Sequence, residues 1–288
     1  MSKNTPLRPL PVVLSHHSDE LLSSWISRHA AFYAVPPLVM LKHCLPEATA
    51  LRANDLHLSS DQEIRLASMF AVEPAVLRRM TFTNVAQSSR RLIATRPTQI
   101  CTSCSPAHTV PAPFLRGQLL GWRITCTHCG SWLRRVGGGE IPSPFPQYRR
   151  AALRGEKLLD DEAERGIRTW TSPAKIARLL LMRRVIWPLP DEHELWRYRV
   201  LGVIIPDLDR VITTEQENLP TPAKPILPLH LRPALLAGVA IVERGGPEML
   251  RMLSSHMMGE NRTRFGDAAE TMMVQAAKFR TTSQMHLI

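Results

Sequence analysis

Apolar residues recur every three or four positions through much of the chain, and this period predicts a mainly helical protein. Residues 21–32 form the first such stretch, and the two prolines at 36 and 37 are expected to end it. Ser18 precedes two acidic residues, so we expect it to cap this helix. A second short helix is predicted over residues 38–44, whereas residues 1–14 are interrupted by prolines and predict an extended arm.

The next two predicted helices form a helix-turn-helix pattern over residues 61–84. Ser60-Asp-Gln-Glu63 has the sequence of a capping box and is expected to start the first of them. Pro74 suits the first position of the second helix. A helical hairpin in a protein core has the same pattern, so both interpretations stay open. Residue types that contact phosphates or bases follow on the second helix and just after it: Arg78, Arg79, Thr81 and Asn84.

Positive charge is concentrated in residues 74–139, which we call the acid-free segment. It contains nine arginines and no Asp or Glu, and so carries +9 of the formal net charge of +11. The rest of the chain has 27 basic and 25 acidic residues. This distribution indicates DNA or another polyanion as the partner, with Arg90 and Arg91 as further predicted contacts. A GC-rich genome is a second explanation for 30 arginines against six lysines.

Four of the five cysteines form two pairs with a two-residue gap, and 21 residues separate the pairs. Such a gap lets two thiolates face one point, and two pairs complete a tetrahedral zinc shell. The predicted ligands are Cys101, Cys104, Cys126 and Cys129. Because four thiolates leave no open coordination position, we predict one structural Zn²⁺. His108 or His128 in place of one cysteine is the alternative ligand set.

These features predict a domain order with a boundary at the glycine- and proline-rich residues 137–147. The predicted parts are an extended arm (1–14), a helical and helix-turn-helix region (15–97), a zinc ribbon (98–136), a linker (137–147) and a C-terminal helical domain (148–288). In the last part, helices are predicted over residues 148–165, 172–186, 191–202, 231–244 and 247–258. Residues 259–288 are polar, and we expect them to be loosely ordered.

Cysteine usage and the N-terminal sequence favour the cytoplasm. Five cysteines in 288 residues do not form a disulfide framework, and paired cysteines suit a reducing compartment. The first residues lack the apolar core of a signal peptide, and no apolar run has the length of a membrane span.

The sequence predicts no catalytic residue and therefore no enzyme. The acidic cluster at residues 160–162 is interpreted as a solvated helix face. No glycine-rich phosphate loop is present. Cys44 follows His43 but is expected to be a half-buried thiol. Glu192 and Glu194 lack the partners of a two-metal site.

With these elements in order, the chain resembles the TniQ family of transposition accessory proteins. The resemblance covers about residues 10–135. In many relatives a histidine stands at the position of Cys129, and a further cysteine-bearing loop follows. Here no cysteine follows Leu133, so the resemblance implies one zinc site and not two. The matching residues are Glu20, Ser24, Trp25, Arg28, the stretch Arg79-Met-Thr-Phe82, the four cysteines, Arg116, Trp122, Gly130 and Leu133.

The resemblance implies a non-catalytic adaptor for target-site selection in transposition. Family members mark target DNA, directly or through another targeting complex, and recruit an AAA+ ATPase that engages the transposase. The alternative from the residues alone is a zinc-containing helix-turn-helix transcription regulator. A zinc-dependent hydrolase or nuclease is a third class. A homodimer stays open, and the apolar stripes at Leu235–Ile241 and Met249–Leu253 are expected either to be buried or to dock the ATPase.

Overall fold

The fold is mainly helical, as predicted, with one two-stranded sheet in the described part of the chain. The computed structural model describes residues 8–104, 113–137, 142–186, 198–212 and 220–285. His108, Glu192, Glu194 and parts of the predicted arm and linker lie outside these ranges. Within them, no helix combines the length and the hydropathy that crossing a membrane would require.

Contacts divide the chain into two compact units. Unit 1 comprises Met1–Asn84, Ile100–Leu119 and Thr127–Cys129, and unit 2 comprises Val85–Gln99, Leu120–Cys126 and Gly130–Ile288. Residues 98–136, the predicted zinc ribbon, are shared between the two units. Their first part is hydrogen-bonded into unit 1, where Leu21 N donates to Phe114 O over 2.9 Å. Residues 120–126 belong to unit 2, where a buried glutamate described below accepts hydrogen bonds from them.

Five helices form the larger part of unit 1: α1 (Leu22–Phe32), α2 (Pro37–Cys44), α3 (Leu51–Leu56), α4 (Ser60–Phe70) and α5 (Pro74–Arg79). Their apolar faces close over one core, in which Trp25 of α1 lies 4.7 Å from Phe70 of α4 between ring centroids. The thiol of Cys44 is buried in this core, and desolvation raises its pKa to about 11. A thiol in this state is a poor nucleophile.

Two helix starts differ from the predictions. α1 begins at Leu22, and Ser18 does not cap it, because Asp19 has a left-handed backbone with φ of 60°. The capping box of α4 lies one residue earlier than predicted. Ser59 Oγ accepts from Gln62 N over 3.3 Å, and Ser59 N donates to Gln62 Oε1 over 3.1 Å. Glu63 is therefore free of the capping box.

α4 and α5 are two helices joined by a turn, the arrangement that both interpretations of residues 61–84 predict. Ala71 ends α4 in the left-handed conformation, with φ of 48°, and Pro74 begins α5. The second helix has only six residues. Leu77 is its buried residue and faces the core of unit 1.

Unit 2 contains α6 (Arg149–Arg165), α7 (Pro173–Leu180), α8 (Leu201–Ile204), α9 (Asp207–Ile212), α10 (Arg232–Ser254) and α11 (Gly259–Met285). α6 packs closely on α10, since a Cβ on Gly155 would lie 1.9 Å from Leu236 O. α10 is interrupted at Gly246, whose φ is 67°, so two helices meet here as predicted. The sheet pairs β1 (Gln99–Ile100) with β2 (Arg134–Arg135).

The C-terminal part of unit 2 differs most from the sequence predictions. Residues 259–285 form a helix and not a loosely ordered tail. Phe265, Ala269 and Met272 recur at helical spacing and are buried, which gives this polar helix a packed face. α7 ends at Leu180, earlier than predicted. The apolar stripes of α10 are mostly buried in unit 2 itself.

Candidate metal centre and nucleic-acid surface

The four predicted cysteine ligands lie together. All four Sγ atoms are within 4.8 Å of one another, and those of Cys101 and Cys129 are 3.5 Å apart. A tetrahedral zinc ion with Zn–S bonds of about 2.3 Å places its sulfurs about 3.8 Å apart. The cysteines form no disulfide, and Cys101 is buried while Cys129 is exposed. The donor set and its spacing can hold one metal ion. His128 is not part of this cluster, and His108 lies outside the described residues.

The turn of the second cysteine pair depends on a glycine. Gly130 N donates to Cys126 O over 2.9 Å, and Cys126 N donates to Ser131 O over 2.8 Å. Gly130 has φ of 72°, a left-handed backbone that other residues rarely adopt. The tight turn thereby brings the two sulfurs of this pair to one side of the chain.

A buried carboxylate of α6 fixes the chain that enters this turn. Glu156 accepts hydrogen bonds from Ile124 N over 2.8 Å, Thr125 N over 2.9 Å and Thr125 Oγ1 over 2.7 Å. It is 4% exposed. This role could not be predicted from the sequence, because Glu156 lies in an ordinary charged helix 30 residues beyond Cys126.

A second buried charge, Arg232, ties together chain segments next to both cysteine pairs. Its guanidinium donates to Gln99 Oε1 over 2.7 Å, to Thr98 Oγ1 over 2.9 Å and to Arg123 O over 3.0 Å. Nε donates to Leu227 O over 2.9 Å. Burial lowers the pKa of Arg232 to about 9, and the charge of Glu156 opposes this shift. The sequence did not single out this arginine.

In unit 1, Glu20, Ser24 and Arg28, which carry part of the family resemblance, form one hydrogen-bonded group. Arg28 donates from Nε and Nη2 to the two carboxylate oxygens of Glu20, each over 2.8 Å. Ser24 Oγ donates to the same carboxylate over 3.0 Å and accepts from Phe114 N over 2.9 Å. Glu20 is buried. The group thus joins α1 to the segment that follows the first cysteine pair, and Arg116 N adds a bond to Asp19 O over 2.7 Å.

Comparison with protein families tests the resemblance that these residues suggest. Residues 11–129 match the TniQ family. The match confirms the predicted resemblance and covers less than half of the 288-residue chain. It includes the Glu20 group, the α4–α5 pair and all four cysteines. Comparison with curated proteins gives no significant match, and neither does comparison with solved structures.

Part of the positive charge of the TniQ-matching region is balanced by acidic residues outside the acid-free segment. Three arginines of that segment form ion pairs, and their partners could not be read from the sequence. The pairs are Arg78 with Glu63 at 2.6 Å, Arg116 with Asp19 at 3.6 Å and Arg123 with Asp160 at 2.6 Å. Other arginines of the segment are exposed and form no ion pair with a described acidic residue: Arg79, Arg91, Arg96 and Arg135.

The predicted DNA contacts differ in their availability. Arg79, Asn84 and Arg91 are exposed. Arg90 is also exposed, with its Nε donating to Val85 O over 3.2 Å. Thr81 is 2% exposed and its hydroxyl donates to Arg78 O over 3.0 Å, so we leave it out of the surface that can meet DNA.

Arg78 combines exposure with an internal partner. Half of its side chain is exposed, while its Nε donates to Glu63 Oε1 and Oε2, each over 2.9 Å. The hydrogen bond and the charge of Glu63 raise the pKa of Arg78 further. Glu63 belongs to α4, so this ion pair joins the two helices of the helix–turn–helix pair.

The acidic cluster at residues 160–162 is not the solvated face that the sequence predicted. Glu162 is fully buried and accepts from Ser172 Oγ over 2.5 Å and from Ala174 N over 2.8 Å. Asp160 accepts from Trp122 Nε1 over 2.7 Å and pairs with Arg123. Desolvation raises the pKa of Asp160 to about 6 against the opposing charge of Arg123. These contacts give the cluster a structural role within unit 2.

Proposed function

We propose that the protein is a non-catalytic, DNA-binding adaptor that selects target sites for DNA transposition. It recruits an AAA+ ATPase and, through that ATPase, the transposase. The match of residues 11–129 to the TniQ family carries this proposal. The chain acts by binding energy alone: holding a marked DNA site and a second protein together raises the local concentration of that protein at the site.

The proposed cofactor is one structural Zn²⁺ on Cys101, Cys104, Cys126 and Cys129. The proximity of the four Sγ atoms supports it. Four thiolates fill a tetrahedral shell, so the ion stabilises the fold and leaves no position for a reacting water. Binding of the ion and folding of both cysteine turns are then one coupled equilibrium.

The proposed DNA contacts are the exposed polar residues of the acid-free segment: Arg78, Arg79, Asn84, Arg90 and Arg91. Arginine binds phosphate through two parallel N–H groups, and such contacts position a protein on any sequence. Each lost phosphate contact is expected to reduce the salt dependence of binding by about one unit.

A reconstituted reaction tests the proposal. The purified chain, an AAA+ ATPase encoded beside it and the corresponding transposase are combined with target DNA, and the insertion sites are sequenced. We expect insertions at the selected site only when this chain is present, and co-purification of the chain with the ATPase. Insertion at the same site without the chain would contradict the proposal. Binding to an operator without any contact to the ATPase would favour the transcription regulator instead.

A further inference from the structure

Unit 2 contains a cavity of about 660 Å³ whose lining is strongly basic. Residues of α7 and of α11 line it, together with residues 182–183, 199 and 221–222. Among the described residues, none of those lining the cavity is acidic. The cationic lining residues are Lys175, Arg178, Arg183, Arg199 and Arg264.

Arg199 is the most buried of these cations. It is 5% exposed, and its Nε has no hydrogen-bond acceptor among the described residues. Its backbone pairs with that of Arg183, which brings a second guanidinium close. Burial and the charge of Arg183 lower the pKa of Arg199 to about 10, so it is still charged at neutral pH. A buried cation without an acceptor costs stability unless an anion joins it.

Arg232 in the same unit is a buried arginine with a purely structural role, and it serves as a comparison for Arg199. Arg232 is even more deeply buried, but its guanidinium donates to four oxygen atoms of the protein. Arg199 has no comparable set of acceptors. The difference shows that the described residues leave Arg199 without its acceptors, and a bound anion can supply them.

Few of the other cations in the cavity are neutralised. Lys175 and Arg183 form no ion pair with a described acidic residue. Arg178 donates from Nε to a neutral acceptor, Pro222 O, over 2.8 Å, and burial with the charge of Arg91 lowers its pKa. Among the described residues, only Arg264 of this lining has an acidic partner, Glu260. The repulsion among these groups favours a bound anion with more than one negative charge.

The remaining wall of the cavity is apolar. Leu179, Met182, Ala268 and Met272 contribute to it, and Leu179 and Met272 are themselves largely buried. An inorganic anion gains little from such a wall, whereas a nucleobase packs well on leucine and methionine side chains. The volume lies within the usual range for sites that enclose a small organic ligand.

We infer that this cavity binds a nucleotide, with its phosphate at Arg199, Arg183, Lys175 and Arg178 and its base against the apolar wall. The nucleotide is either free or a terminal residue of a nucleic-acid strand, since both present the same phosphate and base. This inference does not depend on a role in transposition.

Binding assays on the full-length, zinc-loaded protein test the inference. Fluorescence measurements compare a labelled adenosine monophosphate, the labelled nucleoside without phosphate and a short labelled single strand. We expect the mononucleotide or the strand to bind, and loss of the phosphate or the substitution Arg199→Gln to weaken binding about tenfold or more. Arg244→Gln, an exposed arginine of unit 2 that does not line the cavity, is the matched control and should bind normally.

The three ligands distinguish a free nucleotide from the end of a nucleic-acid strand, and the stability of the variants controls for misfolding. Binding of the mononucleotide identifies a free nucleotide, and binding of the strand alone identifies nucleic acid. Arg199→Gln should keep or raise the melting temperature of the unliganded protein, because it removes a buried charge without an acceptor. Lys175→Gln, at a half-buried position, should weaken binding with no change in folding. Absence of binding to all three ligands, or binding unaffected by both substitutions, would overturn the inference.

Discussion

Replacing Glu156 with alanine should destabilise unit 2 and loosen the candidate metal centre. The carboxylate accepts three hydrogen bonds from Ile124 and Thr125, and the residue is 4% exposed. The Thr125 hydroxyl can rotate to another acceptor, but the two backbone N–H groups cannot. Two buried donors without acceptors, at about 1–3 kcal/mol each, predict a loss of about 2–6 kcal/mol. Domains are commonly stable by only about 5–15 kcal/mol, so the effect is large.

Glu156→Gln separates the hydrogen bonds from the charge. Glutamine keeps an oxygen that can accept from both backbone N–H groups, so we expect it to lose much less than alanine. Urea unfolding followed by circular dichroism gives the free energies of unfolding, and a colorimetric chelator gives the rate of metal release. Metal release should be faster for the alanine variant, because the chain entering Cys126 loses its anchor. Arg150→Ala, at an exposed position on the same helix, is the control and should change stability by about 0.5 kcal/mol or less.

Equal losses for Glu156→Ala and Glu156→Gln would refute the reasoning, since the hydrogen bonds would then not matter. A loss below about 1 kcal/mol for alanine would refute it as well. Either result would mean that the segment before Cys126 is held by something other than this carboxylate.

Three further predictions concern metal, DNA and pH. Metal analysis should find one zinc per chain, lost in Cys126→Ser but retained in Cys44→Ser, whose residue lies in the core of unit 1. Arg79→Ala and Arg91→Ala should each weaken DNA binding on any sequence and reduce the salt slope by about one unit; an unchanged slope in titrations at several salt concentrations would exclude phosphate contacts. Burial raises the pKa of Asp55 to about 6 from 3.8, opposed by hydrogen bonds from Ser23. Because the folded pKa exceeds the unfolded one, this contribution to stability is complete below about pH 4 and is lost as the pH rises through about 6. It amounts to about 3 kcal/mol at most, and Asp55→Asn should flatten the pH dependence of urea unfolding in this window.

The clustering of the four cysteines and the main helices could be predicted because their signals are local. Two cysteines separated by two residues form a turn whatever surrounds them, and the α4–α5 pair has its turn and its Pro74 within a short stretch. The start of α1 could not be predicted, because the left-handed backbone of Asp19 accompanies its bonds to residues near 116. Ser59 and Ser60 are both plausible caps, and only the folded geometry distinguishes them.

The supporting residues of the candidate site could not be predicted at all. Glu156 and Arg232 act on segments about 30 and more than 100 residues away in sequence, and each looks like an ordinary charged helix residue. The ion pairs that neutralise part of the charge of the acid-free segment could not be predicted either. The sequence shows its nine arginines, but the carboxylates that pair with three of them, Asp19, Glu63 and Asp160, lie outside the segment.

In the ion pair between Arg78 and Glu63, the Glu63 carboxylate competes with DNA phosphate for the Arg78 guanidinium. If a phosphate takes over the Arg78 guanidinium, the Glu63 carboxylate, whose side chain is 6% exposed, is left buried without its cation. The cost of leaving this buried carboxylate unpaired offsets part of the binding free energy gained at the phosphate. Arg79, the next residue, forms no ion pair with a described acidic residue. The two arginines of this short helix are therefore expected to add different amounts to the affinity for DNA. The exchange of Arg78 between carboxylate and phosphate would also loosen the link between α4 and α5, so contact with DNA and the rigidity of this helix pair oppose each other.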